Sequence, residues 1–203
     1  MAGAKWNIPN LLTLLRILLI PVFVVVFYLP VDWARLACLL IFTAAGITDW
    51  LDGYLARKWG QTSAIGAFLD PVADKLIVAV ALVLLVQSDP TMEFAIPAAI
   101  IIGREITISA LREWMAELGA RAQVAVSWVG KFKTTVQIIA ICFLIYRDDL
   151  WIIPVHTIGF VLIYVAAALT LWSMFVYLQA AWPSLREHHG QVEKRGDDNQ
   201  GVE

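Results

Sequence analysis

Apolar residues along this chain fall into six long runs, with polar residues gathered at the ends of the runs and in short joints between them. The runs cover Asn10–Leu29, Trp33–Leu55, Asp70–Val86, Phe94–Leu111, Ser127–Tyr146 and Val155–Ala181. Their lengths centre on the roughly 20 residues that an α-helix needs to cross a bilayer's hydrocarbon core. They do not alternate apolar and polar positions as half-buried strands do, and a helix satisfies its own backbone where water is absent. The pattern predicts an all-α, polytopic membrane protein with six transmembrane helices. The last run carries no charge and is the clearest; the second, fourth and fifth carry charges near one end, which softens their limits. The first run exceeds the usual length of a signal-peptide core, about 7–15 residues, and lacks a small-x-small cleavage site, so it is expected to be retained.

Composition supports this reading. Hydrophobic residues make up 60% of the 203 positions and charged residues 16%, against about 45–50% and about 25% in soluble domains. A disordered chain and an ordinary soluble globule are excluded. Fifteen Lys and Arg against 17 Asp and Glu leave a formal charge of −2, so no basic excess points to nucleic acid as a partner. Cys38 and Cys142 both sit in apolar runs, which suggests neither a disulfide framework nor a thiolate metal site.

Basic residues set the expected orientation. With the N-terminus inside, six spans return the C-terminus inside, and 13 of the 15 Lys and Arg fall on or near the inner face; Arg35 and Arg147 fall outside. Residues 1–182 are read as one membrane domain. The polar segment 183–203 has too little apolar surface to order itself, and is expected to be a flexible cytosolic tail.

Four aspartates lie where a carboxylate is costly unless it is paired, hydrated or metal-bound. Asp49 and Asp52 share a helical face near the end of the second run; Asp70 and Asp74 share one at the start of the third. Pro71 suits a first helical turn, which would make Asp70 the N-cap. The intervening segment Arg57–Leu69 is short enough to bring the two faces together at the inner surface. Four carboxylates in one place repel unless cations resolve them. Oxygen ligands without Cys or His suit Mg²⁺ or Mn²⁺, and four of them could hold two ions about 3.5–4 Å apart, an arrangement used in displacement at phosphorus. Gly53, Ala56 and Gly66 leave room for a close-lying ligand, although small residues also line ordinary helix contacts. Arg57 is placed to meet an anionic oxygen.

The pattern Asp49-x-x-Asp52-Gly53-x-x-Ala56-Arg57, eight residues, then Gly66-x-x-x-Asp70-x-x-x-Asp74 resembles the signature of the CDP-alcohol phosphatidyltransferases. A chance match at all eight fixed positions is on the order of 10⁻¹⁰ per starting point. The resemblance extends over about residues 7 to 182. Three stretches, Asn7–Arg16, Gly103–Gly119 and Val126–Gln137, are similar to the bacterial phosphatidylglycerophosphate synthase branch of that family. The resemblance implies a six-helix enzyme of the bacterial inner membrane, usually a homodimer, with its active site facing the cytoplasm. It implies transfer of the phosphatidyl group from CDP-diacylglycerol to sn-glycerol 3-phosphate, with release of CMP. By the family pattern Asp49, Asp52, Asp70 and Asp74 hold two metal ions and Asp74 is the proposed general base. Gly53, Ala56 and Gly66 would lie against the cytidine part and Arg57 against the diphosphate. Asn10, Thr13 and Arg16 form a polar stripe on the first run, and the resemblance implies contact with the CDP moiety.

A phosphorylated acceptor needs cations. Lys75, Arg104, Arg112, Lys131 and Lys133 all lie toward the inner side. Arg104 and Arg112 are expected to share a helix face, and Glu105 could orient one basic neighbour. Of Lys131 and Lys133 only one can point inward on a helix. Inner-face positive charge or contact with lipid phosphate is the plainer explanation for Lys133 and Lys58; Arg104 lies deeper and needs a partner. Another alcohol acceptor, such as serine, inositol phosphate or phosphatidylglycerol, would use the same chemistry. A divalent-cation transporter is the reading from another class, but transporter sites sit near the bilayer midplane, often within repeats, and these acids lie at one face.

Overall fold

The computed structural model describes residues 8–59, 64–117, 128–149 and 152–200. Within them the regular elements are six helices: α1 (Ile8–Phe27), α2 (Ala34–Trp59), α3 (Ala64–Ser88), α4 (Met92–Glu117), α5 (Trp128–Tyr146) and α6 (Val155–Gln200). Each matches one apolar run. Of these, Met92–Ala116 and Val155–Ala180 are long and apolar enough to cross a membrane by themselves; Leu11–Phe27 and Phe132–Tyr146 are shorter apolar stretches.

The joints follow local chemistry. The Thr91 hydroxyl accepts from the Phe94 backbone N–H at 3.3 Å, an N-cap that satisfies one of the first orphan donors of α4. Arg147 ends α5 with a positive φ of 63° while its N–H donates to the Phe143 carbonyl. At the same end of the bundle Arg35 pairs with Asp148 and the Tyr28 hydroxyl donates to Gln87.

Helix faces are sorted in a way that suits lipid. On α1, Leu11, Leu15, Leu18, Val22 and Val25 are exposed, whereas Thr13, Arg16, Ile20 and Phe23 are buried. Both sets repeat every three or four residues, as one face of a helix does. Apolar groups outside and polar groups inside is the reverse of a soluble helix. The core is aliphatic and aromatic through its middle, with Phe23, Phe42, Leu82, Ile101, Ile141 and Ile163 at its centre. The main helix contacts are α5 with α6, α1 with α2, α4 with α6 and α1 with α3.

Two boundaries differ from the sequence reading. α3 begins at Ala64, so Asp70 is not an N-cap; it lies within the helix, with Pro71 following it. A proline beyond the first turn costs one backbone bond and crowds the carbonyl of the preceding turn, yet α3 already begins at Ala64. At the other end α6 runs on to Gln200, past the Ala181 limit of the sixth apolar run. Elongating a helix that is already nucleated costs little, and Glu, Arg, Lys and Gln beyond Ala181 are good helix formers.

Candidate active site

α1 brings Thr13 and Arg16 inward one turn apart, at 1% exposure each. Arg16 Nη1 donates to Asp49 Oδ1 on α2 at 2.6 Å. The arginine side chain is fully buried while Asp49 keeps 41% of its side-chain surface, so the carboxylate is pinned from the protein side and open on the other. Asp74 of α3 lies within electrostatic range of Asp49, Arg16, Glu105 and Lys75. The structure thus brings the first and last aspartates of the motif together, with Arg16 between them and the core.

Asp52, Gly53, Ala56 and Arg57 lie on α2, and Gly66 and Asp70 on α3. Their side chains, with those of Asn10 and Lys131, are outside the described residues. Among the described residues no group of three or more His, Cys, Asp or Glu forms a metal cluster. The donors that are described, Asp49 and Asp74, are hard oxygens suited to Mg²⁺ or Mn²⁺, and Asp49 retains an oxygen not held by Arg16.

A second polar cluster joins α4, α5 and α6. Glu105 accepts through Oε1 from Lys133 Nζ on α5 and from Arg104 Nη1 at 3.4 Å. Arg104 Nη2 donates to Ser173 Oγ on α6 at 3.0 Å, and its guanidinium lies 5.5 Å from the Tyr177 ring centre. Ser173 in turn donates to the Thr170 carbonyl at 2.9 Å. Arg104 is 8% exposed and Lys133 2%. The buried Nε of Arg104 has no partner among the described residues, and an N–H left bare in that way is stabilised by any anion that reaches it. Lys133 lies within electrostatic range of Asp74, so the two clusters are neighbours.

Several sequence expectations change here. Lys133 is not an inner-face surface charge: it is buried against Glu105, because its position on α5 faces the bundle. Lys58 is exposed, as expected. Arg104 is buried and Arg112 exposed, although the two lie within electrostatic range of each other. Eight residues at about 100° each leave them roughly 80° apart around the helix. Arg112 also lies within electrostatic range of Lys75. Ser173 and Tyr177 were not singled out. Their signal was available as a hydroxyl stripe, Thr170, Ser173 and Tyr177, at spacings of three and four in the uncharged run.

Residues 6–172 match the family model for CDP-alcohol phosphatidyltransferase. The chain is 57% identical over 177 residues to the CDP-diacylglycerol--glycerol-3-phosphate 3-phosphatidyltransferases of Escherichia coli (strain K12) and Shigella flexneri serotype 5b (strain 8401), covering 87% of this chain and 96% of each relative. The family model covers Arg16, Asp49, Asp74, Arg104, Glu105 and Lys133. With the aspartate motif complete and its described members on adjoining helices, the chain belongs to the CDP-alcohol phosphatidyltransferase family.

Proposed function

We propose that the protein transfers the phosphatidyl group of CDP-diacylglycerol to sn-glycerol 3-phosphate, giving phosphatidylglycerophosphate and CMP. The similarity to enzymes named for that reaction supports the substrates. The observation that carries the reading is the pair of buried cations, Arg104 and Lys133, beside the aspartate end of the bundle. Burying an arginine and a lysine is costly, and an anionic acceptor gives that cost a use.

Asp49, Asp52, Asp70 and Asp74 would hold two Mg²⁺ or Mn²⁺ ions. When bound, such ions neutralise a diphosphate and stabilise CMP as a leaving group. Arg16 orients Asp49 from inside the bundle. Asn10, Thr13, Gly53, Ala56, Arg57 and Gly66 would line the CDP moiety. Asp74 would take the proton of the acceptor hydroxyl. The hydroxyl oxygen then bonds to the phosphorus that carries the diacylglycerol, the bond from that phosphorus to the bridging oxygen breaks, and CMP departs with the electron pair. Arg104 and Lys133, with Lys75 and Arg112 less buried, would bind the acceptor phosphate, and Lys131 would join them.

The exposed apolar faces support six membrane crossings in a bacterial inner membrane, with both termini and the site on the cytoplasmic side. A homodimer is the assembly we infer from the family. A panel of radiolabelled acceptors with CDP-diacylglycerol and Mg²⁺ tests the reading. Lipid product from glycerol 3-phosphate is the expected result; product from serine or inositol phosphate alone would overturn the choice of acceptor. Metal flux in liposomes without transferase activity would favour a transporter.

A further inference from the structure

Helices α4 and α5 each pack on α3 and on α6. The Glu105–Lys133 pair spans the space between α4 and α5 themselves. Glu105 sits next in sequence to Arg104 and shares one oxygen, Oε1, between that arginine and Lys133. It keeps 22% of its side-chain surface, against 2% for Lys133 and 8% for Arg104. The acid therefore stands on the open side of two buried cations. It also lies within electrostatic range of Asp74 and Lys75.

Neutralising two buried cations would need only a negative charge nearby. This arrangement does more, because one oxygen fixes both cations at a set separation. An ammonium has three donors and a guanidinium five. Glu105 takes one from each, Ser173 takes another from Arg104, and the Tyr177 ring covers its face. The guanidinium is held on several sides while its Nε has no partner among the described residues.

We propose that Glu105 is a positioning residue for the acceptor site. It holds Lys133 and Arg104 across the α4–α5 space so that their remaining N–H donors meet the phosphate of the acceptor without rearranging. The proposal rests on the reading of Arg104 and Lys133 as acceptor-phosphate cations. Donors set in place in advance reduce the ordering cost of binding. Losing Glu105 thus weakens acceptor binding even though it removes a competing negative charge.

The test compares the purified full-length wild type with Glu105→Asp, Glu105→Gln, Lys133→Gln, Arg104→Gln and the Glu105→Gln/Lys133→Gln double variant. KM is measured for sn-glycerol 3-phosphate and for CDP-diacylglycerol, alongside the melting temperature in detergent. Glu105→Asp keeps the charge and shortens the reach, so it should melt within about 2 °C of wild type yet raise the acceptor KM about tenfold. The CDP-diacylglycerol KM should stay within about twofold. Glu105→Gln should raise the acceptor KM similarly, and the double variant should be no worse than Lys133→Gln alone, as coupled residues behave. An unchanged acceptor KM in Glu105→Asp, with a raised one in Lys133→Gln, would reduce Glu105 to a neutralising charge and overturn the proposal; fully additive effects in the double variant would do the same. Unchanged acceptor KM in both Lys133→Gln and Arg104→Gln would instead sink the acceptor-site reading underneath it. Should Glu105→Gln fail to fold, Glu105→Asp decides the matter.

Discussion

Arg16 on α1 holds Asp49 on α2 through a 2.6 Å charge-assisted bond, with the arginine wholly inside the bundle and the carboxylate partly open. The first aspartate of the motif therefore has its orientation set from behind by a residue 33 positions earlier. Replacing Arg16 by Gln removes the charge and most of the reach. We expect a stability loss of about 2 kcal/mol, the scale of one charged hydrogen bond, and at least a tenfold fall in turnover. A thermal melt in detergent and a CMP-release assay check both. Arg16→Lys should recover part of the stability and little of the activity, since a lysine lacks the guanidinium fork.

The aspartates should be individually indispensable. Asp49→Ala, Asp70→Ala and Asp74→Asn are each expected to lower turnover by about a hundredfold or more while the protein still purifies as a folded, monodisperse species. Full activity in any one of them would contradict the two-ion assignment. Lys58→Ala, on an exposed position, should change activity less than about twofold.

Metal removal gives an independent check. Dialysis against EDTA should abolish transfer, and Mg²⁺ or Mn²⁺ should restore it, because hard carboxylate oxygens favour such ions. Undiminished transfer after chelation would rule out the ions in the reaction.

Ser173 is expected to matter although it lies in an uncharged run. Ser173→Ala leaves a buried guanidinium N–H of Arg104 without its acceptor, which costs about 1–3 kcal/mol. The melting temperature should fall and the acceptor KM should rise, with the CDP-diacylglycerol KM unmoved. Ser173→Thr, which keeps the hydroxyl, should stay close to wild type in acceptor KM.

The α5–α6 contact depends on one small residue. A Cβ added at Gly159 would lie 3.0 Å from Phe143 Cβ, 3.1 Å from Leu144 Cγ and 3.2 Å from the Leu144 backbone nitrogen. Gly159→Ala should destabilise the protein by about 1–3 kcal/mol through overpacking. Gly46→Ala, where a Cβ meets nothing within 4 Å, should be neutral or slightly stabilising by helix propensity. Melting curves of the two variants side by side test the contrast.

Much of the site was legible from spacing. The aspartate motif is a local pattern along two consecutive helices, and Asp49 does lie near Asp74. Arg16 and Thr13 share a face because three residues nearly complete a turn, and both are buried. The N-cap assigned to Asp70 failed because α3 begins six residues before it, at Ala64, so Pro71 lies past the first turn that proline usually marks. Lys133 was misjudged for a different reason. A lysine near a membrane face reads as surface charge unless its partner is known, and that partner, Glu105, is 28 positions away on another helix.

Amino-acid order alone determined the helical class, the six runs and the aspartate motif, because hydropathy and turn-by-turn spacing act over a few residues and need no neighbour. Which cations go inside was decided only by tertiary packing. Lys133 and Arg104 are buried because α5 and α4 present them to Glu105, Ser173 and Tyr177, and the energy of a buried charge depends on partners that no local pattern specifies.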